Sequence, residues 1–162
     1  MKQLAALKTL VILVASLVAT TAVATDGTDP DATVLDRWNA ARETVFDASE
    51  VDLEDFMWIA RPIVIFADAP AVPSFGQQLD LLEARMAELV ERDVILIVDT
   101  DPAAKSDIRQ KLRPRGFMLT LIGKDGRVFL RKPFPWDVRE ITRSIDKQPI
   151  RKQELIDQLR AE

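Results

Sequence analysis

The sequence contains no cysteine and no histidine. The first absence removes disulfides, thiolate nucleophiles and thiol–disulfide exchange. The second removes the side chain most often used as a general base near neutral pH. Together they take away the usual ligands of zinc. Glycine is also scarce, at five residues, and no run of it forms a loop that could cradle phosphate. Basic charge is in the minority, with 22 Lys and Arg against 26 Asp and Glu. Neither nucleic acid nor an anionic membrane surface is therefore expected as a partner. The densest basic group is Arg109, Lys111, Arg113 and Arg115. It reads as a solvated helix face, with anion contact as the alternative.

What is present begins with an export signal. Lys2 and Lys8 precede the apolar run Leu10-Val11-Ile12-Leu13-Val14-Ala15, and Ala22-Val23-Ala24 offers the small-x-small pattern of a cleavage site. The alternative is an uncleaved anchor, but the apolar run is short for the roughly 20 residues a span requires. Cleavage after Ala24 is expected to release a periplasmic or extracellular protein that is not integral to the membrane. It leaves 20 basic against 26 acidic side chains. In an oxidising compartment a cysteine-free domain must rest on its hydrophobic core, which a chain of this length can build.

Along the chain, residues 25–59 read as a polar linker followed by short helices, and residues 60–162 as the main domain. Val34 to Phe46 predicts a loose helix and Leu53 to Ile59 a short apolar one. Pro62 to Ala67 and Val94 to Val98 are continuous apolar runs, as buried central strands require. Between them, Leu79, Leu82, Met86, Leu89 and Val90 recur at helical spacing within Ser74 to Arg92. Asp101 reads as the cap of a helix starting at Pro102 and running to Leu112. Phe117 to Ile122 and Arg127 to Arg131 flank Asp125-Gly126, which predicts a hairpin with a type I′ turn. Helices from Trp136 to Asp146 and from Ile150 to Leu159 close the chain. The last is expected to pack onto its own domain, with dimerisation through its apolar edge as the alternative. The fold class expected is α/β, a thioredoxin-like sandwich: a central mixed sheet of two parallel strands plus an antiparallel hairpin, with helices on both faces.

Several ordered pieces also resemble a known family. They are Arg61-Pro62 leading into Val64-Ile65-Phe66-Ala67, then Gln77-Gln78, then Glu91-Arg92-Asp93. They continue with Leu121-Ile122-Gly123-Lys124-Asp125-Gly126, Leu130-Arg131, Ile145-Asp146, Pro149, Arg151 and Glu154. In this order they resemble the peroxiredoxin-like P-DUDES family, also called domain of unknown function 4174. The resemblance implies a thioredoxin-like fold, and secreted, matrix-associated relatives in animals. It implies no defined activity.

In proteins of that fold the working thiol follows the first central strand, at a helix N-terminus that lowers its pKa. Here that stretch is Asp68-Ala69-Pro70-Ala71-Val72-Pro73-Ser74, without sulfur. Ser74 has no histidine to activate it and reads as a helix cap, completed by Gln77 as a capping box. The place of the usual cis-proline is taken by Phe117-Met118-Leu119. No catalytic residue, metal ligand or cofactor is expected. A ligand or partner patch is expected from Arg61, Asp68, Gln77, Asp99, Asp101, Lys124 and Arg131. Arg61 and Arg131 are also placed to pair with Asp146 or Glu154, locking the C-terminal helix to the sheet. Trp38, Trp58 and Trp136 read as core and cover. The function expected is that of a non-catalytic binding or accessory module, with an envelope protein or matrix component as partner. The alternative is a small-ligand or divalent-metal binder, or a hydrolase, using Asp68, Asp99 and Asp101.

Overall fold

A computed structural model describes residues 31–161; the expected signal peptide and the first part of the linker lie outside them. Thr33 opens the fold. Its hydroxyl accepts from the Asp36 amide while Asp36 reaches back to the Thr33 amide, a capping box that starts helix α1 (Val34–Ala40). The chain then turns through Ala41 and Thr44. Instead of the helix expected as far as Phe46, Val45–Asp47 form strand β1. The β-branched and aromatic residues Val45 and Phe46 suit a strand, and pairing with β3 (Val94–Asp99) decides the matter.

The sheet has the order β1-β3-β2-β4-β5. Strands β1, β3 and β2 (Arg61–Phe66) run parallel, while β4 (Met118–Ile122) and β5 (Val128–Lys132) continue antiparallel. The expected sheet is thus present, with β1 as an added edge. β2 and β3 are buried on both sides, which is why their sequences are unbroken apolar runs. Val64, Phe66, Ile95 and Ile97 face Trp38, Phe46, Phe56, Ile108 and Leu112. Ile63, Ile65 and Leu96 face Leu82, Leu89, Ile141 and Ile145 on the other side. Residues 34–56 therefore supply one edge of the sheet and much of one core layer.

The long helix expected from Ser74 to Arg92 is two helices, α2 (Pro73–Glu83) and α3 (Met86–Val90). The break at Ala84-Arg85 turns the chain so that both Leu82 and Leu89 are fully buried. Ser74 does not cap α2. Val72 holds that position and Pro73 takes the first helical turn, where its fixed φ and missing N–H cost nothing. Asp101 does accept from the Ala103 amide, but it caps only a 3₁₀ turn, Pro102–Ala104. Lys105 in the left-handed region ends that turn, and Ser106 caps α4 (Asp107–Leu112).

The hairpin turn is not type I′. Its only positive φ is at Gly126, +75°. The Gly126 amide donates to the Gly123 carbonyl and the Gly123 amide to the Arg127 carbonyl. Lys124-Asp125-Gly126 is thus a three-residue loop with a left-handed glycine, accompanied by a bulge that shifts the register after Leu121. Asp137 caps α5 (Val138–Asp146). In α6 (Pro149–Ala161) only the first turns dock, through Arg151 and Glu154. The helix thus packs on its own domain as expected, but not through its apolar edge, since Leu155, Ile156 and Leu159 stay exposed. Among the described residues no helix is long and apolar enough to cross a membrane.

Candidate functional site

The two ends of the parallel strands carry different polar clusters. At the carboxyl end, the Ala67 amide donates to the Asp99 carbonyl at 2.9 Å, extending the β2–β3 ladder by one bond. Arg109 closes this end. Its Nε and Nη2 donate to Asp99 Oδ1 at 2.9 and 2.7 Å, and Nη2 also donates to the carbonyls of Ala67 and Asp99. Ser106 Oγ donates to Asp99 Oδ2 at 2.6 Å. The Asp99 carboxylate is nearly fully buried, and both its oxygens are taken. The α4 backbone places Arg109 there because Ser106 serves twice, as cap of α4 and as donor to Asp99. Arg109 was expected on a solvated helix face. It is instead a largely buried counter-ion, 12% exposed, set by a ten-residue separation that no local periodicity reveals.

Beside this knot runs the segment from Asp68 to Val72 that leads into α2. Asp68 is exposed, with Oδ2 near Gly116. Met118 lies across the ladder from Phe66, the last residue of β2. Among the described residues no hydrogen bond joins the Ser74 hydroxyl to a base. Gln77 is exposed, whereas its neighbour Gln78 is buried and acts as a clamp. Gln78 Nε2 donates to the Trp136 carbonyl at 3.1 Å, and Gln78 Oε1 accepts from the Trp136 amide at 2.7 Å. One side chain thereby supplies the missing ladder partner of the loop before α5. A pair of adjacent glutamines gave no local sign of which one is inside.

Asp68, Asp99 and Asp101 are not brought together as a cation site. Asp99 is neutralised by Arg109, Asp101 caps its own turn and Asp68 faces solvent. Among the described residues no group of three or more carboxylates could hold a metal ion.

At the amino end, Arg61 is fully buried. Its Nη1 donates to the Arg92 carbonyl and its Nη2 to Glu154 Oε1, both at 2.9 Å. Lys124, from the hairpin loop, bonds Asp93 at 2.7 Å and Glu154 at 3.0 Å. Arg151 adds a third cation to Glu154 at 3.2 Å. Burial opposes ionisation of Glu154, but hydrogen bonds and charge from Arg61 and Lys124 outweigh it and hold the carboxyl below its ordinary range. Arg92 forms a bidentate pair with Asp146, which raises its pKa. The expected lock between Arg61 and Glu154 therefore exists. Asp146 pairs with Arg92, and Arg131 donates to the Leu112 carbonyl at 2.6 Å rather than to an acid. Of the expected patch, Arg61 and Lys124 meet at this end, Asp68, Asp99 and Asp101 lie at the other, and Gln77 and Arg131 stand apart.

A mixed sheet between two helical layers, with the stretch after β2 free of sulfur, defines a thioredoxin-like domain whose redox position carries no thiol. Solved structures agree on the fold. A reduced 2-Cys peroxiredoxin from Plasmodium vivax superposes with a TM-score of 0.52 at 16% identity, over 64% of this chain and 85% of that one. Chloroplastic thioredoxin z gives 0.51 at 23% identity, over 65% and 96%. No curated protein sequence matches the chain. Residues 52–154, more than half of the chain, match the family described as Domain of unknown function (DUF4174), and the chain belongs to that family.

Proposed function

We propose that this chain is an exported, non-catalytic thioredoxin-like module that binds a protein or matrix component of the cell envelope. The observation that carries the reading is the state of the carboxyl end of β2 and β3. The segment Asp68 to Ser74 offers no sulfur, and the neighbouring charge, Asp99, is consumed by Arg109 and Ser106. Acid–base or nucleophilic chemistry needs a group with a free lone pair and a partner to exchange its proton; Asp68 stands there as a solvent-exposed carboxylate and Ser74 as a hydroxyl with no histidine to activate it. Export rests on the leader sequence, with release after Ala24. The reading that assigns a divalent cation to Asp68, Asp99 and Asp101 is disfavoured by the same pairing.

The test is turnover. The purified chain, released from its leader, is expected to reduce neither hydrogen peroxide nor a disulfide substrate above the uncatalysed rate. Reproducible turnover that tracks protein concentration would overturn the proposal. N-terminal sequencing of the protein recovered from the envelope fraction is expected to begin at Thr25.

A further inference from the structure

The charge of this acidic chain is unevenly distributed. From Arg109 to Lys132 there are eight basic side chains and a single acid, Asp125. Arg109 and Lys124 are spent in the ion pairs at the two ends of the sheet. Lys111, Arg113, Arg115, Arg127 and Arg131 remain exposed. They gather along α4, the hairpin loop and the edge strand β5.

The same strip borders a groove of about 250 Å³ between the 3₁₀ turn Leu53–Phe56, the end of α4 and the hairpin. Its apolar lining comes from Phe56, Met57, Pro62, Leu112, Ile122 and Val128, and its charged lining sets Lys111 and Arg131 beside Glu54 and Asp125. At its lip Lys111 stands 3.9 Å from Glu54, while nearby Arg127 stands 3.8 Å from Asp125. Such long, exposed pairs are worth little and exchange readily. Next to Met57, Trp58 is 65% exposed with φ +64°. A bulky residue rarely adopts that conformation, and strain of this kind concentrates at recognition sites. The Trp58 amide is held by the Lys124 carbonyl at 2.6 Å. Met57 and Val128 are themselves exposed, so the groove has an apolar margin.

We infer that this groove docks an acidic polypeptide segment, which inserts a bulky apolar side chain between Met57 and Val128 and sets its carboxylates against Lys111, Arg127 and Arg131. The assignment rests on the binding-module reading and names the partner's chemistry. Charge complementarity selects the occupant. A second copy docking through the same strip would bring basic faces together. The apolar floor is recessed, so a side chain can fill it where a bilayer surface cannot.

The probe is a short fluorescein-labelled peptide of Asp and Glu with a central Leu-Phe, compared with the same peptide built from Lys and Arg. Fluorescence anisotropy is expected to show binding of the acidic peptide alone, weakening as salt rises. The double variant K111E/R127E should weaken it roughly tenfold or more. Arg143→Glu, on α5 across the sheet, should leave it unchanged. Trp58→Gly, whose backbone suits the left-handed conformation, should keep the melting temperature and still weaken binding. Equal binding of both peptides, indifference to K111E/R127E, or capture only by phosphatidylglycerol vesicles would overturn the inference. So would absence of acidic-peptide binding at millimolar concentration. None of these outcomes bears on peroxide turnover, which decides the non-catalytic reading separately.

Discussion

Arg109 holds Asp99 by its carboxylate and by its main-chain carbonyl at once, and reaches the Ala67 carbonyl with the same Nη2. One guanidinium therefore ties the ends of β2 and β3 to α4, at the place where a thioredoxin-like domain would present its reactive group. The arrangement makes that end of the sheet a structural joint.

Removing either partner of this joint leaves a buried, uncompensated charge. Arg109→Ala and Asp99→Ala are each expected to destabilise the fold by about 3 kcal/mol, read from urea midpoints at constant m-value. The double variant should cost less than the sum, since the two residues share one interaction. Additive losses would mean that the pair is not coupled. Millimolar calcium or magnesium should leave the melting temperature of the unaltered protein unchanged.

Glu154 makes stability depend on acid. Its folded pKa is depressed by Arg61 and Lys124, so its contribution is fully present above the unfolded value of about 4.3. It is lost as pH falls through the lower folded value. Glu154→Gln should be less stable at neutral pH and show a flatter loss of stability in acid, measured by chemical unfolding from about pH 7 down to pH 3. Glu154→Ala should cost about 3 kcal/mol, because Arg61 is buried with no other carboxylate partner among the described residues. A parallel acid profile in wild type and Glu154→Gln would contradict this assignment.

Gln78 holds the loop before α5 by two hydrogen bonds to the Trp136 main chain. Gln78→Leu keeps the volume roughly and strands both backbone groups, so a loss of about 2 kcal/mol is expected. Gln77→Leu, one residue away and exposed, should change stability by less than about 0.5 kcal/mol. Hydrogen exchange of the Trp136 amide should accelerate in the first variant only.

Much of the architecture was legible because it depends on local patterns. The apolar runs at Pro62 to Ala67 and Val94 to Val98 mark strands buried on both faces, and Asp125-Gly126 marks a hairpin. The Arg61–Glu154 lock was also foreseeable as one of a few pairings of opposite charge. Helix ends were less legible. The boundary at Pro73 and the break at Arg85 follow from how the chain must turn to bury Leu82 and Leu89 together. Strand β1 was missed because three residues carry no periodicity, and its pairing partner lies some fifty residues away.

The sequence by itself determined what chemistry this protein lacks: without cysteine or histidine anywhere, no packing can create a thiolate or an imidazole base. It also marked the central strands β2 and β3 and the hairpin, since their apolar patterns and turn residues are written locally. Only the tertiary structure decided what the charged residues are for. Arg109 became a largely buried counter-ion, Asp99 its partner, and Lys111 and Arg127 exposed cations held only by long pairs with Glu54 and Asp125 beside an apolar groove. The reason is physical: whether a charge is spent or available depends on which side chain stands within a few ångströms, and that neighbour comes from a distant part of the chain.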